Sequence, residues 1–94
     1  MVMASPFSFG MSVEVDNRTG RILAVYFRVR KGKSAETKEF DRGKVFVDYN
    51  SRGELLGIEM LAPSTIAVLD RVTSNEPQSR QFVRHSVPRE MARS

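Results

Sequence analysis

Apolar and polar residues alternate along the first two-thirds of the chain, and after Pro63 the pattern changes to a helical period. Val13 and Val15 alternate with Glu14 and Asp16, which predicts a half-buried strand. Asn17-Arg18-Thr19-Gly20 predicts a tight turn in which Gly20 takes positive φ. With that turn Val15 pairs with Leu23 and Val13 with Val25. The second strand is expected over 21–30, with Leu23, Val25, Phe27 and Val29 on one face. On its other face Ile22, Ala24 and Tyr26 give way to Arg28 and Arg30. Lys31-Gly32-Lys33 turns the chain, and 35–40 reads as a polar edge strand protected by Glu36, Lys38 and Glu39. Asp41-Arg42-Gly43 returns the chain inward.

The stretch 44–61 is the most apolar in the protein and predicts the central hairpin. Asn50 opens its turn and Gly53 supplies positive φ, the three-residue loop closed by a glycine bulge. In that register Asn50 faces Glu54, Tyr49 pairs with Leu55, Val47 with Gly57, Val45 with Glu59 and Phe46 with Ile58. One face then holds Phe46, Leu56, Ile58 and Met60; the other holds Val45, Val47, Tyr49, Leu55 and Leu61 together with Glu59. Strands apolar on both faces belong in the middle of a sheet. The likeness between NRTGRILAV and NSRGELLGI follows from two hairpins sharing one turn type, since repeat architectures need at least three copies.

Beyond Pro63, Ser64 or Thr65 caps a helix whose stripe is Ile66, Val68, Leu69 and Val72. Asn75-Glu76-Pro77 starts a second, offering Phe82 and Val83, and Ser86 with Pro88 opens a last turn through Met91. Residues 1–10 show no period. They are expected to be a disordered extension, with a clasp of Pro6, Phe7 and Phe9 on the sheet as the alternative. The domain therefore spans 11–74, and 75–94 is a helical or partly flexible tail whose removal leaves the fold intact. The predicted fold is α+β, a small antiparallel β-meander of about five strands with one or two C-terminal helices.

Composition narrows the function without naming it. With 94 residues, 40 % hydrophobic and 28 % charged, the chain makes one ordinary domain. It holds no cysteine and no apolar run long enough to span a membrane, so a cytoplasmic location is expected. The net charge of +4 is spread evenly and favours acidic partners only weakly.

Residues suited to chemistry are scarce. His85 is the single histidine, its neighbours are Arg84 and Arg89, and it reads as a plain surface or packing residue. No metal, cofactor or catalytic set is expected, and the protein reads as no enzyme. Glu59 stands inside the most apolar strand, where a carboxylate needs a basic partner or a place at an interface. Asp48 reads as a bond to turn backbone. Arg28, Arg30, Lys31 and Lys33 gather at one strand end, where a β-ribbon meets a phosphate backbone in some nucleic-acid binders.

Met11 to Val29, the run ETKEF, and VFVDYNSRGELLGIEMLAP resemble the bacterial family catalogued as domain of unknown function 2283. The likeness covers about residues 11–62 and is carried by Val47, Asp48, Gly53, Gly57, Ile58 and Glu59. It departs at the first turn, where Arg21-Ile22-Leu23 replaces an acidic Asp-Ala-Leu pattern. The resemblance implies a compact β-rich module without known catalysis. Relatives encoded beside small toxin-like proteins imply an antitoxin-like role. One helix covers only one face of a sheet apolar on both, so a homodimer or a small protein partner is expected. The interface would hold Glu59, Tyr49, Val47 and Leu55, with nucleic-acid binding through the basic cluster as the alternative function.

Overall fold

The computed structural model describes residues 8–64 and 66–91. Five strands, β1 (Gly10–Val15), β2 (Ile22–Arg28), β3 (Glu36–Phe40), β4 (Val45–Tyr49) and β5 (Leu55–Leu61), are followed by α1 (Ala67–Val72) and α2 (Pro77–Ser86). A single 3-10 turn, Arg89–Met91, follows α2. The α+β class, the all-antiparallel sheet and the two C-terminal helices are as expected. The strand order is β1-β2-β5-β4-β3. β3, β4 and β5 form a meander and β1 with β2 a hairpin, while β5 closes the sheet by pairing with β2. The segment after β2 carries the chain past two strands to the far edge.

The hairpins depart from the expected registers by one residue, the first only beside its turn and the second in all its pairs beyond Tyr49, each for a local reason. The first turn hinges on Asp16 rather than Asn17: Asp16 Oδ1 accepts the N–H groups of Arg18 and Thr19, and Asp16 and Arg21 close the loop. That lengthens the loop by one, and a bulge at Leu23 restores the pairing of Val13 with Val25. The second turn forms as expected. Gly53 has φ +78°, and Asn50 Oδ1 accepts the N–H of Arg52 and of Glu54, each at 2.9 Å.

Beyond the second turn Leu56 bulges out of β5, so Val47 pairs with Ile58, Phe46 with Glu59 and Val45 with Met60. An extra residue moves everything after it to the opposite face. Ile58 and Met60 therefore join the face of Val45 and Val47, while Phe46 and Leu61 lie on the other. Val45, Val47, Ile58 and Met60 lie together with Val25, Phe27 and Val29, all buried. Val68 and Leu69 of α1, Val83 of α2 and Met91 pack against them.

The first helix spans fewer turns than its stripe predicts, and the tail supplies the rest of the cover. The expectation that 75–94 is dispensable is corrected here: Val83 and Met91 are completely buried, and Met91 O accepts the Ser64 N–H. Gly10 belongs to β1, and Phe9 stacks between Phe27 and Phe82, with ring centroids 6.0 and 5.2 Å away. The clasp reading holds for Phe9; Pro6 and Phe7 lie outside the described residues. No helix among the described residues is long and apolar enough to cross a membrane.

Positive φ is required at Gly53, not at Ser51. Gly53→Val is expected to cost roughly 1–2 kcal/mol more than Ser51→Val, because a Cβ in that region meets the following carbonyl. Urea denaturation of the two variants measures the difference, and equal losses would contradict the turn assignment.

Candidate interaction surface

The two sheet edges are built differently. β3 carries Glu36, Thr37, Lys38 and Glu39, charged residues that keep an edge from pairing. On β1 every residue is exposed, and the helix-side face holds only Met11, Val13 and Val15. Among the described residues these three, with Leu23 and Phe82, are the large apolar side chains left 39–47 % exposed. Leu23 lies at the Val15 end of the strand, where the bulge sets it. Phe82 lies toward the Met11 end, against Phe9, which itself stacks on Phe27, the β2 partner of Met11.

The backbone of β1 has a matching polarity. Leu23 O accepts the Ala62 N–H and Val29 N–H donates to Leu56 O, so the odd-numbered residues of β2 face β5. Its even-numbered residues face β1, where Arg28, Tyr26 and Ala24 oppose Gly10, Ser12 and Glu14. In an antiparallel ladder the intervening residues turn the other way. The N–H and C=O groups of Met11, Val13 and Val15 therefore point out of the sheet, and no described residue pairs with them. Sequence alternation marks Val13 and Val15 as half-buried but cannot show that their strand is an edge; the lack of any charge on that face was the available signal.

The residues expected at an interface are dispersed. Val47 and Leu55 are buried in the core and present nothing to a partner, a correction that follows from the cover which α1, α2 and Met91 put on their face. Tyr49 is half-buried with Lys38 Nζ 5.3 Å from its ring centroid; burial first, then Glu36 and Glu76, raises its hydroxyl pKa. Glu59 is exposed on the open face, between Tyr26 of β2 and Phe46 of β4. On that face Ser12, Glu14, Arg28, Thr37, Glu39, Lys44, Asp48 and Glu59 surround a smaller apolar set, Ala24, Tyr26, Phe46, Leu56 and Leu61. Charged residues thus interrupt the uncovered face on which the expected dimer rested, and no contiguous apolar surface is left among its described residues.

On the open face Tyr26 lies across β5. A Cβ on Gly57 would stand 2.3 Å from the Tyr26 hydroxyl, so only glycine admits the ring there. Burial, then Asp48, pushes that hydroxyl above its ordinary pKa, against the pull of Arg28. Asp48 is held by the Thr37 hydroxyl at 2.6 Å rather than by turn backbone.

A depression of about 270 Å³ lies beside Tyr26, lined in part by Arg28, Arg30, Lys31, Ser34 and Asp48. Three of the four expected nucleic-acid contacts thus come together, and Lys33 does not line it. Arg30, however, is occupied. Its Nη1 lies 3.0 Å from Glu76 Oε1 and also donates to Leu55 O, and its side chain is 10 % exposed. On α2, Arg80 and Arg84 flank Asp70 at 3.4 and 3.6 Å, and His85 is exposed beside them. Among the described residues no three His, Asp or Glu side chains converge to hold a metal. Comparison of the chain with protein-family models, with curated proteins and with solved structures finds no match.

Proposed function

We propose that this protein is a non-catalytic protein-interaction module that takes a partner on the β1 edge. One observation carries the reading: a strand with three outward-facing N–H and C=O sets and an uncharged face of Met11, Val13 and Val15, flanked by Leu23 and Phe82. Apolar side chains contiguous along an unpaired edge mark a surface that binds by strand addition. Membership of the domain of unknown function 2283 family belongs to the same proposal, and a small toxin-like protein is the partner class that the resemblance sets as the alternative to a second copy of the chain.

Nucleic acid is the weaker reading. Arg30 is neutralised by Glu76, and Asp48 sits among the remaining basic groups. On the open face Glu14, Glu39, Asp48 and Glu59 outnumber Arg28 and Lys44, a balance that opposes phosphate.

Baits of the wild-type chain and of a Met11→Lys/Val15→Lys variant, presented to an extract of the source cells, test the reading. Both positions are exposed, so the fold should survive. A protein held by the wild type is expected to be lost from the variant. Equal retention by both baits would sink the proposal.

A further inference from the structure

We infer that the occupant of the β1 edge is a second copy of this chain, paired antiparallel about a two-fold axis at Val13. The inference rests on the proposed reading of that edge as an interaction surface and adds its partner and register. Two-fold pairing of identical strands across a continued sheet keeps each face on its own side, so opposed residues must share a face. The outward N–H and C=O groups belong to Met11, Val13 and Val15, so only these residues can exchange hydrogen bonds across the axis.

Val13 on the axis satisfies both conditions. Val13 then exchanges bonds with its own copy, and Met11 with Val15 at each end, so every exposed apolar residue of β1 opposes another. On the polar face Ser12 opposes Glu14. An axis at Glu14 would set the two carboxylates directly opposite, which is destabilising. The same operation brings the Phe82 end of one strip toward the Leu23 end of the other. β3 offers no such match, because charges occupy both of its faces.

Sedimentation equilibrium of the purified full chain should report a dimer. Val13→Pro should weaken it at least about tenfold, while the melting temperature of the monomer stays near that of the wild type. The lost N–H points out of the sheet, where an edge tolerates proline. Val13→Lys, which places two ammonium groups at the axis, should dissociate the dimer without touching the backbone.

Register is read by oxidation, in a chain without cysteine. A Val13→Cys variant should form a disulfide-linked dimer readily, since opposed Cα atoms of a hydrogen-bonded pair stand about 5.5 Å apart. Ser12→Cys, two residues out of step with its copy, should not. Faster linkage of Ser12→Cys would overturn the Val13 axis. A monomeric wild type at high micromolar concentration would overturn the second copy as occupant, while the bait comparison still decides the edge reading. A dimer indifferent to both Val13→Pro and Val13→Lys would place the contact elsewhere and overturn the inference.

Discussion

Removing residues 75–94 should leave a chain that no longer unfolds cooperatively. The segment brings Val83 and Met91 into the core, both completely buried, at about 1.5–3 kcal/mol for each large side chain. It also brings Glu76, the carboxylate that neutralises Arg30, and the carbonyl of Met91 that pairs with Ser64. The two apolar side chains alone account for about 3–6 kcal/mol of a stability that in small domains is about 5–15 kcal/mol. Leaving Arg30 buried without its carboxylate adds a penalty of similar size. Circular dichroism and a hydrophobic dye measure the result: a broad, shallow melt with dye binding is expected. A sharp transition within a few degrees of the full chain would show that the sheet and α1 hold together alone.

The strands were legible because period-two alternation depends only on which residues are apolar. The second turn was legible because Asn50 and Gly53 each have one conformational task there. The bulges were not. Leu55, Leu56 and Ile58 are equally apolar, and nothing in their order says which of them is extra. One unread residue moved Ile58 and Met60 to the face of Val45 and Val47 and removed the apolar surface that the expected interface needed. The pairing of β2 with β5 was hidden for a different reason, since turn chemistry specifies only neighbouring strands. Glu59 looked buried because its strand is apolar, whereas its partners across the sheet, Tyr26 and Phe46, put it on the wet side.

Arg30 shows most clearly what the sequence withholds, and it leads to the second large effect. Read in order, Arg28, Arg30, Lys31 and Lys33 are one basic cluster; in space Arg30 turns inward to Glu76, forty-six residues away. The pair does more than cancel charge. Arg30 Nη1 donates to Leu55 O and Glu76 Oε2 accepts the Leu55 N–H at 3.2 Å, so the two side chains satisfy both backbone polar groups at the start of β5. The Ser79 hydroxyl donates to Glu76 Oε1 at 2.9 Å and fixes the carboxylate on α2.

Glu76→Ala therefore strands a guanidinium and a backbone N–H together. The expected loss is about 3 kcal/mol, the lower end of what breaking a buried pair costs, because the Glu76 side chain is 24 % exposed. Asp70→Ala, which breaks the exposed contacts to Arg80 and Arg84, should cost less than about 1 kcal/mol. Arg30→Met combined with Glu76→Ala should be less destabilised than the sum of the single variants. A coupling of about 1–3 kcal/mol is expected, since the methionine leaves no buried charge behind. Urea denaturation of the four variants and the wild type closes the cycle. Glu76→Ala and Asp70→Ala losing the same stability would mean that the Arg30 pair is no better than a surface contact.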